Sequence, residues 1–278
     1  MTGPALPDRA GEVRRWRDSG AAWDRWADTM AEPAERLNAP LLTALSLEPH
    51  HILLDLATGA GEPALTAART FVPTERGPAG RVLATDLVPA MMAGARRRGA
   101  DLSPLSFLAA DMTALPLADA SVDRVSCRFG LMFVPDAQLA LAEMRRVLRP
   151  GGRAALLCWG AQADNTLFQV IDAYVGGEPA LATLFRFATP GVLPDLCRVA
   201  GFSTVEDSAL RHTTQADIRR PFWRPTLEMA FAPALAHLTA VGRARLETDI
   251  ATAFAPLADA DGRVPVHVHA RLTVAEVD

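Results

Sequence analysis

A glycine-rich turn follows an apolar run near residue 53. In the stretch LLDLATGAGEPALTAA (residues 53–68), Gly59, Gly61 and Ala64 satisfy the pattern G-x-G-x-x-G/A. Glycines allow backbone N–H groups to approach a ligand closely, and the helix that follows would present its N-terminus to that ligand. A tight strand-to-helix turn that binds nothing would show the same pattern. The glycines therefore indicate a candidate ligand site that the neighbouring residues must support.

Acidic residues recur near the ends of successive strand-like segments and support a ligand site. Asp55 lies four residues before Gly59, where its carboxylate could accept hydrogen bonds from the amides of the turn. Asp86 ends the second segment, 25 residues after the second glycine of the turn, and is placed to accept both hydroxyls of a ribose. Asp111 ends the third segment, where an acid could accept from an adenine amino group while Met112 lies on the ring. The ribose acid suits a nicotinamide enzyme equally, whereas the third position does not.

Apolar runs and amphipathic segments alternate through the middle of the chain. Strand-like runs occupy residues 51–57, 80–87, 105–112, part of 121–134, and 153–160, and helix-like segments occupy 62–72, 88–100 and 136–152. Pro150, Gly151 and Gly152 are expected to end the last of these helices. The alternation predicts an α/β fold, a mostly parallel sheet with helices on both faces. Ligands of such sheets bind beyond the carboxyl ends of the strands, where the glycine turn falls.

The pattern is less regular after residue 160. A helix is predicted over residues 190–202, capped by Gly201, and a strand over residues 203–212. Residues 213–260 are expected to form several short helices, because four prolines interrupt them. Residues 264–277 alternate like a strand with one solvated face, which would expose His267 and His269.

The glycine turn and the strand-end acids, taken together, resemble the class I S-adenosylmethionine-dependent methyltransferases, and within them the group related to the ubiquinone/menaquinone C-methyltransferases. The matching pieces are LLDLATGAGEPAL, ATDLVPAMM, LAADMTALPLADASVDRVSCRFGLMFVPD and LAEMRRVLRPGGRAALLCWG. They cover residues 50–160 in the order and approximate spacing of that family. Ala57 departs from the pattern, since many members carry the first glycine of the loop there, although related quinone enzymes tolerate alanine.

The resemblance implies a doubly wound, mostly parallel, seven-stranded Rossmann-like sheet with an antiparallel last strand, plus a helical cover. The implied division of the chain is an N-terminal helical lid (1–40), a core that binds S-adenosylmethionine (41–160), the remainder of the core with the sixth strand (161–212), a helical cover insertion (213–260) and the final antiparallel strand (261–278).

S-adenosylmethionine is the cofactor that the resemblance implies, and it assigns contacts along the whole ligand. From the methionine end to the adenine, these are backbone groups of Ala57, Thr58, Gly59 and Gly61, the main-chain carbonyl of Arg128 for the ammonium, Asp86 for the ribose, Leu87 and Met91 around the adenine, and Asp111 and Met112 at its edge and face. Core packing against the sheet is an equally good reading of Met91.

Methyl transfer from a sulfonium is an in-line displacement in which the leaving thioether is neutral. The protein mainly aligns the nucleophile with the methyl group and excludes water. A general base is needed only for an acceptor that arrives protonated, such as a phenol or an enolisable carbon. His212 and His237 are the histidines worth testing as that base. The Arg128 side chain could instead bind an anionic acceptor, or pair structurally with Asp123 or Asp136. No catalytic residue is assigned.

Aromatic residues of the predicted lid and cover offer a wall for the methyl acceptor. Trp23 and Trp26 lie just ahead of the first strand, where the family has a mobile lid, and Phe133 and Trp223 are expected to join them. Trp16 is expected to pack within its helix instead. Such a pocket suits a hydrophobic or planar small molecule, such as a quinone-like, phenolic or other secondary metabolite. Carbon, oxygen and nitrogen acceptors all remain open.

Composition excludes several other classes of protein. All 28 basic side chains are arginines, the net charge is −4, and the basic cluster at residues 96–98 is short, so no nucleic-acid partner is expected. Three dispersed cysteines suit neither a zinc cluster nor a disulfide framework, and no metal site is expected. No apolar run reaches spanning length and the first twenty residues lack the core of a signal peptide, which predicts a cytoplasmic protein. A homodimer is compatible with the sequence.

Two rival functions share the same glycine turn. An NAD(P)-dependent oxidoreductase is disfavoured by Asp111 and Met112, by the LRPGG segment, and by the lack of a Tyr-x-x-x-Lys pair in a chain without lysine. A protein that binds S-adenosylmethionine without transferring methyl would carry the same motifs, and only turnover separates it from a methyltransferase.

Overall fold

The chain forms one seven-stranded sheet in the order β3-β2-β1-β4-β5-β7-β6. The computed structural model describes residues 8–71, 80–175 and 183–278. The strands are β1 Ile52–Leu56, β2 Arg81–Asp86, β3 Leu105–Ala109, β4 Val122–Arg128, β5 Leu148–Trp159, β6 Thr204–Asp217 and β7 Arg263–Glu276. Strand β7 runs antiparallel to both of its neighbours, while the other neighbouring strands pair in parallel. The prediction of a mostly parallel sheet with an antiparallel last strand is confirmed.

The α-helices of the described residues cover both faces of this sheet. They are α1 Arg9–Leu45, α2 Ala64–Thr70, α3 Ala93–Arg98, α4 Ala137–Val147, α5 Thr166–Val175, α6 Val192–Val199, α7 Arg224–Ala230, α8 Ala232–Ala236 and α9 Ala240–Phe254. Two predicted segments extend outside the described residues, namely residues 1–7 of the lid and Val72 at the end of the second helix.

Central strands are apolar on both sides because helices pack against both faces. On one face, Leu41 and Leu45 of α1 pack with α2 around Leu53 of β1. On the other face, α4 buries Leu141 and Met144 against the sheet, together with other residues at helical spacing. The side chain of its N-cap residue accepts the Leu139 N–H at 3.1 Å, so the sequence begins this helix without a tertiary partner.

Helix α1 has two roles along its length. Its C-terminal half belongs to the core, whereas its N-terminal half continues past the carboxyl ends of the strands. There Arg9 contacts the loop after β3, Asp24 pairs with α3, and Arg25 donates to Glu228 of α7 at 2.8 Å. The N-terminal half thus bridges several elements that surround the glycine turn.

Two predicted element boundaries differ from the structure. Helix α4 ends at Val147 and β5 begins at Leu148, because Leu148 already pairs with Val122 of β4. The Pro-Gly-Gly segment therefore lies in the first part of the strand and not at the end of the helix. Residues 213–217, predicted as helix, continue β6 because they pair with β7 as far as Asp217 opposite Arg263. The short helices of the cover follow them, as the prolines predict.

The loops that leave β1 and β4 meet at the carboxyl edge of the sheet. Ala57 and Phe129 both adopt left-handed backbone conformations, with φ of 54° and 60°. A Cβ placed on Gly130 would lie 2.3 Å from the Cβ of Ala57, which no pair of atoms tolerates. Only glycine at position 130 allows this approach, so the turn is shaped by a residue more than seventy positions away.

We expect Gly130→Ala to lower the free energy of unfolding by about 2 kcal/mol, because the new methyl group overlaps Ala57. Ala57→Gly removes that methyl neighbour together with the cost of a left-handed alanine, so the double variant should recover most of the loss. Urea unfolding measures all three variants. Gly242→Ala is the control, since its nearest neighbour is 3.4 Å away. A double variant as unstable as Gly130→Ala alone would contradict this account.

Candidate active site

A cavity of about 640 Å³ lies beneath the N-terminal half of α1, between the carboxyl ends of β1 to β4, helix α7 and the inner face of β6 and β7. This volume is within the range of small-molecule sites. Its lining is largely apolar, and the glycine turn forms one end of it.

Hydrogen bonds from the glycine turn run to the end of β2. The Thr58 N–H donates to the Thr85 carbonyl at 2.8 Å, and the Gly59 N–H donates to Oδ2 of Asp86 at 3.0 Å. The expectation that Asp55 accepts from the turn is wrong. Asp55 is fully buried and accepts from the Ser126 hydroxyl at 2.6 Å, because β1 and β4 place the two residues opposite each other.

Asp86 lies at the centre of the predicted cofactor site. Its Oδ1 accepts the Val88 N–H at 3.0 Å, and the side chain lines the cavity although the residue is only 8% exposed. Burial raises the pKa of this carboxyl, against the backbone N–H groups of Val88 and Gly59 that favour the carboxylate. Each carboxylate oxygen has a second lone pair, so Asp86 can accept ribose hydroxyls while it holds the turn.

Asp111 joins the adenine end of the cavity to α1. Its Oδ1 accepts both the backbone N–H and the hydroxyl of Thr113, at 2.9 and 2.7 Å, and its Oδ2 accepts Nε of Arg9 at 2.7 Å. Partial burial disfavours the charged form, but these hydrogen bonds outweigh it and lower the pKa of Asp111. The carboxylate is therefore charged at neutral pH, with Met112 beside it on the cavity wall.

The structure brings almost all of the predicted cofactor residues together. Those on the cavity wall are Ala57, Thr58, Gly59, Asp86, Leu87, Met91, Asp111, Met112 and Arg128. Gly61 is the exception. A Cβ at Gly61 would lie 2.5 Å from the Leu65 side chain and 3.0 Å from Ala95, and its φ is 110°. Gly61 therefore lets the turn pack against α2 and α3 and is not among the residues that line the cavity.

The aromatic wall contains two of the four predicted residues and one that was assigned to packing. Trp16 lies edge-on to Phe133, with ring centroids 4.7 Å apart, and edge-on to Trp23 at 6.2 Å. All three line the cavity, so the assignment of Trp16 to packing alone is wrong. Trp23 approaches the glycine turn, with its Cε3 4.0 Å from where a Gly59 Cβ would lie.

Trp26 and Trp223 do not line the cavity. Trp26 donates its indole N–H to Glu228 at 2.9 Å and so holds α1 against α7. Trp223 is 4% exposed and stacks on Phe254 within the core of the cover. Its neighbour Phe222 lines the cavity instead. Both misassignments have one cause, since adjacent positions near a helix start face different neighbours.

Among the histidines, His212 faces the cavity from β6, where burial and then the nearby Arg36 lower its pKa. His237 is exposed at the end of α8 and is not a lining residue. The expectation of a solvated His269 is wrong, because it is 4% exposed. The side chain of Asn165 bonds both backbone groups of His269, so the segment after β5 covers this part of β7.

Arg128 places its guanidinium against the cavity, and the predicted pairings with Asp123 and Asp136 are wrong. Asp123 pairs with Arg149 at 2.7 Å, and the Asp136 carboxylate caps α4. The guanidinium carbon of Arg128 lies 5.3 Å from the centroid of the Phe129 ring. Its Nε is buried and has no hydrogen-bond partner in the described part of the chain.

Glu12 is a cavity residue that the sequence reasoning missed. It lies on α1 with one oxygen 3.7 Å from Arg15, while its Oε2 is buried and has no hydrogen-bond partner among the described residues. Burial raises the pKa of Glu12, against the favourable charge of Arg15. Its spacing of four residues from Trp16 was the available signal, because residues four apart share a helix face.

Comparisons with known proteins match this geometry. Residues 54–156 match the family model described as a methyltransferase domain. The ubiquinone/menaquinone biosynthesis C-methyltransferase UbiE of Methylobacterium nodulans is 32% identical over 222 residues, which cover 72% of this chain and 86% of that relative. The chain belongs to the S-adenosylmethionine-dependent methyltransferases. The UbiE enzyme of Acidiphilium cryptum is 40% identical over 147 residues, 51% of this methyltransferase and 56% of that relative.

The methyltransferase fold is shared with solved structures. The [4+2]-cyclase SpnF superposes with a TM-score of 0.60 at 19% identity, covering 100% of this chain and 99% of its own, which shows the fold alone. S-adenosylmethionine is the cofactor of the methyltransferase, and the NAD(P)-dependent oxidoreductase alternative is not favoured. Within the described ranges, no helix has both the length and the apolar character needed to cross a membrane.

Asp55 makes the stability of the methyltransferase depend on pH. Burial raises the pKa of its carboxyl to about 6 from an ordinary 3.8, against the Ser126 hydroxyl, which favours the charge. The native state therefore binds this proton more tightly than the unfolded chain. The resulting stability is fully present below pH 3.8 and is lost as the pH rises through 6, a loss of about 3 kcal/mol.

We expect Asp55→Asn, which keeps an oxygen for the Ser126 hydroxyl, to be more stable than the parent at pH 7 by up to about 3 kcal/mol. At pH 4 the advantage should largely vanish, since the parent carboxyl is then neutral. Urea unfolding of both proteins at pH 4, 5, 6 and 7 measures the difference and cancels the contributions of the other carboxyl groups. An advantage that is the same at every pH would show that Asp55 titrates normally.

Proposed function

We propose that this methyltransferase transfers methyl to a planar, hydrophobic small molecule, such as a quinone-like, phenolic or other secondary metabolite. One observation carries the proposal: the aromatic wall of Trp16, Phe133 and Phe222 continues directly from the residues of the cofactor site in one cavity. The relatives named for ubiquinone and menaquinone biosynthesis support the same class of acceptor.

The bound cofactor supplies a methyl group on a positively charged sulfur. The chain's own residues then have to align the acceptor and keep water out. Flat rings in edge-on contact, such as Trp16 and Phe133, provide a rigid surface for a planar acceptor. Where the acceptor loses a proton, Oε2 of Glu12 is placed to accept it, because this oxygen is unpartnered among the described residues and its pKa is raised. His212 is the second candidate on the same wall.

The lid and the cover belong to this proposal. We assign the lid to residues 1–40 and the cover to residues 213–260, as the sequence indicates. Support comes from the contacts of Arg9 with Asp111 and of Arg25 and Trp26 with Glu228, which fasten α1 over the cavity. A cytoplasmic location, no nucleic-acid partner and a homodimer remain predictions of the sequence.

Calorimetric titration tests the cofactor and the reaction class together. We expect S-adenosylmethionine and S-adenosylhomocysteine to bind with micromolar dissociation constants, and NAD and NADP not to bind. A screen of quinols, phenols and amines with a labelled methyl donor should then yield a methylated product. Heat from a nicotinamide dinucleotide alone would overturn the proposal, and binding without any turnover would favour a non-methylating protein.

Two tryptophans of α1 offer a matched pair of variants. Trp23→Ala removes a ring beside the glycine turn, so we expect the affinity for S-adenosylhomocysteine to fall about tenfold. Trp26→Ala removes only the hydrogen bond to Glu228 and the packing on α7, so it should change the melting temperature more than the affinity. Calorimetry and thermal unfolding of both variants measure this. Equal losses of affinity would contradict the placement of the lid.

A further inference from the structure

Arg128 differs from the other arginines that line the cavity. Arg9 pairs with Asp111 at 2.7 Å, Arg98 pairs with Glu62 at 2.6 Å, and Arg15 lies near Glu12. Among the described residues, no carboxylate lies within ion-pair distance of Arg128. The cavity therefore contains one guanidinium whose charge this part of the protein does not neutralise.

The acids nearest to Arg128 are already occupied. Glu62 and Asp55 attract the guanidinium electrostatically from a distance. However, Glu62 is held by Arg98 at 2.6 Å and by the side chain of Asn38 at 2.9 Å. Asp55 accepts from Ser126 within the sheet. Neither carboxylate is free to turn toward Arg128 without losing these partners.

A buried guanidinium without a partner is unfavourable, and arginine cannot relieve it by losing its proton. Natural proteins keep such a group where an anion binds, because a carboxylate accepts two parallel N–H bonds from it. The cavity lacks that anion, so the ligand has to supply it.

The position of Arg128 identifies which ligand group this is. It ends β4, two residues before Gly130, whose backbone presses on Ala57 of the glycine turn. Arg128 thus lies at the end of the cavity where the turn would hold the amino-acid end of the cofactor. That end carries one carboxylate beside its ammonium.

We propose that the Arg128 side chain binds the α-carboxylate of S-adenosylmethionine, and so recognises the amino-acid end of the ligand. The inference rests on the proposed function. It differs from the expectation that the same side chain binds an anionic acceptor, which becomes an outcome of the test.

The test combines a residue change with a ligand change. Arg128→Met and Arg128→Lys are titrated with S-adenosylmethionine and with its decarboxylated form, which keeps the ammonium and lacks only the carboxylate. We expect the parent to prefer S-adenosylmethionine at least tenfold, Arg128→Met to bind the two ligands equally, and Arg128→Lys to keep part of the preference. Arg36→Met is the control, because Arg36 is exposed on α1 and outside the cavity lining.

Thermal unfolding without ligand provides a second readout. Because the unpartnered charge is removed, Arg128→Met should melt at the same temperature as the parent or higher. A lower melting temperature together with equal losses for both ligands would assign Arg128 a structural role and overturn the proposal. An unchanged preference for the carboxylate would overturn it as well, and a raised KM for the acceptor would then reassign Arg128 to that substrate. Failure of the parent to bind either ligand would instead reject the proposed function.

Discussion

The close approach of Ala57 and Gly130 is the constraint on which the site depends. Strands β1 and β4 are neighbours, so the loops that leave their carboxyl ends compete for the same space. Removing the side chain at position 130 allows the loops to touch, and both backbones answer with left-handed conformations at Ala57 and Phe129. This contact fixes the glycine turn at one end of the cavity and aims the end of β4, with Arg128, at the same place.

A second constraint is the carboxylate of Asp86, which bonds two separate backbone N–H groups. It ties the glycine turn to the end of β2 and still faces the cavity. The residue that recognises the ribose is therefore also the residue that holds the turn in shape. Binding of the cofactor then requires little rearrangement, because the acceptor oxygens are fixed before the ligand arrives.

Charges near the cavity are stored in a costly form. The buried carboxyl of Asp55, the half-neutralised Glu12 and the unpartnered guanidinium of Arg128 all oppose folding of the ligand-free protein. The apolar core around α1, α2 and α4 has to offset that cost. Sites of this kind gain affinity from the same groups, since a ligand that partners them removes a penalty already present.

The sequence by itself determined the order of the elements, the sheet class, the glycine turn and the acids at positions 86 and 111, because these depend on local spacing and turn chemistry. Only the tertiary structure decided which side chains reach the cavity. It turned Trp16 inward and Trp223 into the core, buried His269, paired Asp55 with a serine 71 residues away and left Arg128 without a partner. The direction of a side chain depends on the elements that pack beside it, and those lie far away in the chain.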